Sequence, residues 1–110
     1  FEEALDYLND ADLDDQLLST QAIILKGDCY SELEQFEEAG DKYMKAANAN
    51  RNIMTTPYAL SKAGLAYEEA GEYSNALEAY ERLRSDYSTF RVADKVDARI
   101  ARVTAKKAAK

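Results

Sequence analysis

Apolar residues recur every three or four positions along most of this chain, which is the spacing of one face of a helix. The clearest stretch runs from Pro57 to Leu83, where two amphipathic segments follow each other with Gly71 between them. The segment from Gln21 to Ala46 has the same pattern. The chain has only 4 glycines and 1 proline, so few positions are expected to interrupt a helix. We therefore predict an all-α chain built from pairs of short helices.

The two segments repeat in register. Gly27 aligns with Gly64 at an offset of about 37 residues, and Tyr30 then falls on Tyr67. Small residues let two helix axes approach, and aromatic rings fill the spaces between them. A single helix pair cannot bury its apolar face alone, so each unit needs a neighbour. The other matched pairs are Ala22 with Ala59, Phe36 with Tyr73, Ala39 with Ala76, and Tyr43 with Tyr80.

This register predicts one domain of about six helices. We expect Ser19 to be the N-cap of one helix, and Thr55 or Thr56 to cap another that has Pro57 at its first position. The predicted parts are residues 1–12 as the second helix of a truncated repeat, two whole repeats over residues 19–50 and 56–87, and a long closing helix over residues 88–110.

The repeated residues resemble those of the tetratricopeptide repeat (TPR) family, a helix-turn-helix unit of about 34 residues. The glycine and tyrosine of that family's first helix stand here as Gly27 and Tyr30, and its aromatic, Ala and aromatic residues on the second helix stand as Phe36, Ala39 and Tyr43. The next repeat carries Gly64, Tyr67, Tyr73, Ala76 and Tyr80. The family's Trp and terminal Pro are absent. The resemblance implies an antiparallel helix-pair solenoid with a right-handed superhelix and a concave groove that binds a peptide or protein partner.

A finer resemblance concerns the segment Ser85-Asp86-Tyr87-Ser88, which is followed by Phe90 and Ala93. It is similar to an edge motif of bacterial envelope TPR proteins, including outer-membrane assembly lipoproteins and the Tol-Pal accessory protein, with Ser88 in place of a Pro. The chain is also similar to bacterial TPR proteins that carry an N-terminal membrane anchor. These resemblances imply a scaffold within a larger bacterial protein, periplasmic or membrane-anchored through a missing N-terminal part rather than cytoplasmic.

The resemblance also implies which residues line the groove, because the first helix of each repeat faces it. An acidic groove that contains tyrosine suits a basic or amphipathic peptide or helix, although the same side chains could simply be solvated. TPR domains that clamp a terminal carboxylate use Lys, Arg and Asn at the first groove positions, where this chain has Ile24, Asp28, Ser61 and Leu65. The expected groove residues are Gln21, Ile24, Asp28, Ser31, Tyr58, Ser61, Leu65, Glu68, Lys95 and Arg99.

Catalytic chemistry is not indicated by the sequence. There is no His to act as a base, Cys29 is the one cysteine, and no phosphate-binding loop or zinc pattern occurs. Asp10, Asp12 and Asp14 have the spacing that opens a calcium loop, but Asp15 and Gln21 occupy the places of its essential Gly and Glu. We therefore expect no enzyme activity, no cofactor and no metal site.

The net charge and the lengths of the apolar runs limit the kinds of partner that this chain could bind. The net charge is −7, which disfavours nucleic acid as a partner. No apolar run is long enough to span a membrane, and we expect no membrane contact by this segment itself. We expect a non-catalytic protein-protein interaction module that binds a protein or peptide partner. The sequence does not identify that partner. The alternative is a structural self-association unit, a homo-oligomer in which the truncated N-terminal face or the basic C-terminal helix packs on a second copy. A domain that assists a separate enzyme is a third alternative.

Overall fold

The computed structural model describes residues 1–5, 16–49, 51–87 and 93–109. Within these ranges the chain is helical, with short turns and no strand, and residues 2–5 form a short helical segment. The predicted all-α class with six helical segments is confirmed. The five longer helices are α1 (Gln16–Glu32), α2 (Phe36–Ala49), α3 (Thr55–Ala70), α4 (Tyr73–Asp86) and α5 (Ala93–Ala109).

The start of α1 differs from the prediction, and the predicted start of the closing helix lies outside the described residues. Helix α1 begins at Gln16, so Ser19 lies in its first turn and the prediction of Ser19 as an N-cap is wrong. Helix α5 is described from Ala93 onward, and residues 88–92, where the closing helix was predicted to begin, lie outside the described residues. The acidic stretch considered for calcium and the second half of the predicted first helix also lie outside them.

The start of α3 is organised by Asn52 rather than by a threonine cap. The Asn52 side-chain oxygen accepts hydrogen bonds from the backbone N–H groups of Met54, at 2.9 Å, and Thr55, at 2.6 Å. In return, the Thr56 hydroxyl oxygen accepts a hydrogen bond from the Asn52 N–H at 2.9 Å. This reciprocal arrangement satisfies N–H groups that a helix start leaves unpaired. Thr55 and Thr56 therefore lie inside the helix, and Pro57 occupies its third position instead of its first.

Helices α1 and α3 end in the same way. Each is followed by a residue with a left-handed backbone, Glu34 after α1 with φ 60° and Gly71 after α3 with φ 77°. In both turns the N–H of the next residue returns to a tyrosine carbonyl, that of Tyr30 at 2.8 Å and that of Tyr67 at 2.9 Å. These bonds define the Schellman motif. The two turns are related by the offset of about 37 residues that the sequence predicts between repeats.

Replacing Glu34 with glycine should stabilise the fold by about 1 kcal/mol, because a residue with a Cβ is strained in the left-handed region and glycine is not. The measurement is urea denaturation followed by circular dichroism. Glu34→Ala is the matched control, since it removes the charge and keeps the strain. Equal stability of the two variants would contradict the explanation.

Each pair of consecutive helices from α1 to α4 is joined by the same kind of contact, in which a tyrosine ring of the later helix packs on a glycine of the earlier one. A Cβ added at Gly27 or Gly40 would lie 2.6 Å from the ring, well inside van der Waals contact. This confirms the predicted role of Gly27 and Gly64 as points where helix axes approach, and their surroundings are alike. The contact at Gly40 was not predicted from the sequence. The three pairs are Gly27 with Tyr43, Gly40 with Tyr67, and Gly64 with Tyr80.

Each of these tyrosines also reaches a carboxylate on the helix that carries the glycine. Tyr43 donates a hydrogen bond to Asp28, and Tyr67 donates one to Asp41 at 2.7 Å. Tyr80 donates one to Glu68 at 3.4 Å. Burial, helped by the neighbouring carboxylates, raises the pKa of Tyr43 and of Tyr80 to about 12. The rings therefore pack as neutral phenols with their hydroxyl groups paired, and they fix the spacing of the helices.

Candidate partner-binding groove

Side-chain hydrogen bonds link α1 to α3 and α3 to α5. The Lys62 ammonium donates to Asp28 at 2.6 Å, and the Arg99 guanidinium donates to the Ser61 hydroxyl at 3.0 Å. The partners are 34 and 38 residues apart in the chain. One face of α1, α3 and α5 is therefore brought together, while each helix packs its buried side on the helix next to it in sequence.

A groove runs between α1 and α3, and its walls also contain Phe1 of the N-terminal segment and Tyr43 of α2. It consists of three clefts of about 360, 490 and 210 Å³. Leu25 lines both the first and the second cleft, and Ser31, Tyr43 and Lys62 line both the second and the third. Because adjacent clefts share walls, they form one surface, which we call the α1–α3 groove.

One end of the groove is apolar. Ile24, Leu25, Met54 and Tyr58 line the first cleft together with Gln21. Leu25, Met54 and Tyr58 keep 52%, 77% and 46% of their surface exposed, although all three are large and hydrophobic. Exposed apolar side chains collected in one concavity are typical of interaction sites, whereas scattered ones need no explanation. We call this part the apolar end.

Lys62 occupies the centre of the groove. Besides its ion pair with Asp28, its ammonium lies 5.3 Å from the centre of the Tyr43 ring and 5.0 Å from that of the Tyr58 ring. Burial would lower the pKa of Lys62, but the hydrogen bonds to Asp28 and Tyr58 outweigh it and raise the pKa above its ordinary value. The centre is therefore a fixed, neutralised ion pair between two aromatic rings.

The other end of the groove is acidic. Glu32 lines the second cleft and Glu69 lines the third, where Leu65 is also exposed. Both carboxylates are exposed, and neither forms an ion pair with a residue that the structure describes. We call this part the acidic end.

Most of the ten residues expected in the groove are found on this surface. Ser61 and Arg99 are hydrogen-bonded to each other at the α3–α5 contact, and Lys95 is exposed on α5 outside the three clefts. Six of the expected residues line the clefts: Gln21, Ile24, Asp28, Ser31, Tyr58 and Leu65.

Glu68 differs from the expectation of an exposed acidic residue. It is only 8% exposed. Its two oxygens accept hydrogen bonds from Arg102 at 2.7 and 2.6 Å and from Lys106 at 2.7 Å. Burial alone would raise the pKa of Glu68, but the hydrogen bonds from Arg102 and Lys106 prevail and lower it. Glu68 therefore holds α5 against α3 and adds no free negative charge to the groove.

The groove also contains residues that were not predicted from the sequence, among them Leu25, Met54 and Lys62. The repeat offset of about 37 residues relates Leu25 to Lys62, so the two occupy equivalent positions of successive repeats. Met54 had no sequence signal, because it precedes α3 in a segment that the sequence assigns to a link. Its position depends on the Asn52 cap, which turns the chain immediately before the helix.

The part of the chain that the structure describes contains neither a candidate metal site nor a membrane-spanning helix. Over residues 1–5, 16–49, 51–87 and 93–109, no group of three or more His, Cys, Asp or Glu side chains could hold a metal ion. Within the same ranges, no helix combines the length and the apolar character that crossing a bilayer requires. Cys29 is buried as a free thiol.

No protein-family model, curated protein or solved structure matches this chain. The α1–α3 groove and the repeated contacts that build it are therefore the features that indicate a function.

Proposed function

We propose that this chain is a non-catalytic protein-protein interaction module, a TPR-like scaffold within a larger bacterial protein, that binds a peptide or a partner helix in the α1–α3 groove. The observation that carries this proposal is the apolar end, where Leu25, Met54 and Tyr58 remain exposed beside a fixed polar centre. Burying these side chains under a ligand would release their hydration water, which favours binding. Leu25 and Tyr58 lie on helices, so binding a ligand does not have to fix their backbone conformation.

The repeated contacts support a helix-pair solenoid as the arrangement of the fold. The Schellman turns after α1 and α3 match, and so do the tyrosine contacts at Gly27 and Gly64. In a solenoid of helix pairs the first helix of each pair lies on the concave face. The side-chain links from α1 to α3 to α5 have the connectivity that such a face would have. The envelope location is part of the proposal through the sequence resemblance alone.

A selection of random peptides of about 12 residues, displayed on phage, tests the proposed function. We expect enriched peptides to bind the wild-type protein and to lose at least 10-fold in affinity for Met54→Glu, because a carboxylate would then stand in the apolar end. Binding is measured by fluorescence anisotropy with synthetic copies of the enriched peptides.

Ile53→Glu is the matched control for this experiment. Ile53 is 79% exposed and Met54 is 77% exposed, they are neighbours in the chain, and only Met54 lines the groove. We expect Ile53→Glu to leave the affinity within about 2-fold and both variants to keep wild-type stability. Peptides that respond equally to the two substitutions, or no enriched peptides at all, would refute the proposed function.

Self-association is the second candidate, and the distribution of charge favours it. Glu2 and Glu3 are exposed at the N-terminal end, whereas Lys95 and Lys107 are exposed on α5. Opposite charges at the two ends could pair head to tail. Sedimentation velocity decides between the candidates, because self-association predicts a mass that rises with protein concentration and falls with added salt.

A further inference from the structure

The chemistry of the α1–α3 groove changes along its length. Leu25 in the apolar end and Glu32 in the acidic end are seven residues apart on α1, and Tyr58 and Leu65 have the same separation on α3. At a rise of about 1.5 Å per residue, Leu25 and Glu32 are about 10 Å apart along α1, or two helical turns. Glu69 lies 11 residues from Tyr58 on α3, about one turn further. A ligand that fills the groove therefore meets apolar and acidic surfaces at a defined spacing.

The ion pair between Lys62 and Asp28 crosses the middle of the groove. Lys62 extends from α3 to Asp28 on α1, and the rings of Tyr43 and Tyr58 lie close to its ammonium. A large side chain at this point would have to separate a salt bridge that is already partly buried. A ligand helix therefore needs Ala, Gly or Ser where it crosses Lys62.

A helix laid along the groove has the same rise per residue as α1 and α3. Its residues at i, i+3 or i+4, and i+7 lie on one face, two turns from first to last. The spacing of these three ligand positions matches the spacing of the acidic end, the centre and the apolar end of the groove. The ligand would therefore place a large apolar residue at one end of its face and a basic residue at the other, where Glu32 and Glu69 are without ion-pair partners among the described residues.

The direction of the ligand helix follows from the helix ends. Helices α1 and α3 finish at Glu32 and Ala70, so both place the negative ends of their dipoles beside the acidic end. The positive N-terminus of a ligand helix is favoured there, and its C-terminus is disfavoured. The ligand would thus run antiparallel to α1 and α3, with its basic residue first and its apolar residue last.

We infer that the partner of this groove is an amphipathic helix with Lys or Arg at position i, a small residue at i+3 or i+4, and a large apolar residue at i+7. This inference rests on the proposed function and adds the chemistry, spacing and direction of the ligand. The basic residue pairs with Glu32 and Glu69, the small residue crosses Lys62, and the apolar residue enters the cleft of Ile24 and Leu25.

The test is a phage library on a helix-forming scaffold of about 18 residues, randomised at one face and selected in parallel on two proteins. One protein is the wild type, and the other is Glu32→Lys with Glu69→Lys. We expect the wild type to enrich Lys or Arg at i and the double variant to enrich Asp or Glu there. A peptide selected on the wild type should bind the double variant at least 10-fold more weakly, and changing its Lys to Glu should restore affinity for that variant.

The control variant is Glu38→Lys with Glu81→Lys, which changes the net charge equally at exposed positions outside the groove. It should keep the wild-type preference. Peptides that are sensitive to Met54→Glu but show no basic residue at i would overturn this inference and leave the proposed function standing. Selected peptides that are insensitive to Met54→Glu would overturn the proposed function itself.

Discussion

Gly64→Ala is expected to destabilise the fold by about 2 kcal/mol, although alanine is the better helix former by about 1 kcal/mol. A Cβ at Gly64 would overlap the ring of Tyr80. Tyr80 is fully buried and its hydroxyl is held by Glu68, so the ring has no free space into which to move. Because protein cores are close-packed, α3 and α4 would have to separate, and that would disturb the packing of both helices.

Urea denaturation of the wild type and Gly64→Ala measures this loss. Ala101→Gly is the reciprocal control, since Ala101 is exposed in the middle of α5 and reports the helix propensity of glycine without a ring contact. It should lose about 1 kcal/mol. A Gly64→Ala protein as stable as the wild type, or more stable, would show that the tyrosine contact does not determine the helix spacing.

Glu68→Gln should lose about 2 kcal/mol at pH 7, because it removes a buried carboxylate that accepts three charged hydrogen bonds. Arg102 and Lys106 are about half exposed and regain water when the carboxylate is lost, so a larger loss is not expected. The substitution keeps the size of the side chain. The loss therefore reports charge and hydrogen bonding rather than a cavity.

The loss caused by Glu68→Gln should also depend on pH. Since folding lowers the pKa of Glu68, the ionised group stabilises the native state above its unfolded pKa of about 4.3, and that contribution fades as pH falls through the lower native pKa. The difference in unfolding free energy between wild type and variant should therefore shrink progressively below about pH 4. Denaturation at several pH values measures it.

Glu69→Gln is the matched control for Glu68→Gln, because Glu69 is the next residue on the same helix, exposed and without an ion pair among the described residues. It should change stability by no more than about 0.5 kcal/mol at any pH. If the Glu68→Gln difference were the same in acid as at pH 7, the ion pairs with α5 would not be its source.

Several elements of the fold could be predicted from the sequence because they depend on neighbours in the chain. Apolar spacing identifies the helices, and Gly71 identifies the turn between α3 and α4, since its left-handed backbone suits glycine. Glu34 adopts the same backbone without that signal. Its turn is found only by aligning the two repeats, which shows that the repeat carries information that a single residue does not.

Other features could not be predicted because their partners are far away in the sequence. Glu68 looks like one of many exposed helical acids until α5 brings Arg102 and Lys106 to it, 34 and 38 residues later. Likewise, Lys62 becomes the centre of the groove only when it meets Asp28. The pattern of charges along the chain does not show which of them are neutralised inside the fold.

The sequence by itself determined the helices and the glycine–tyrosine register at Gly27 and Gly64, because helix periodicity and close helix packing follow from the spacing of residue types along the chain. Only the tertiary structure decided which side chains remain available to a partner. Burial and ion pairing depend on which faces meet, and this removed Glu68 from the groove while leaving Leu25, Met54 and Tyr58 exposed in it.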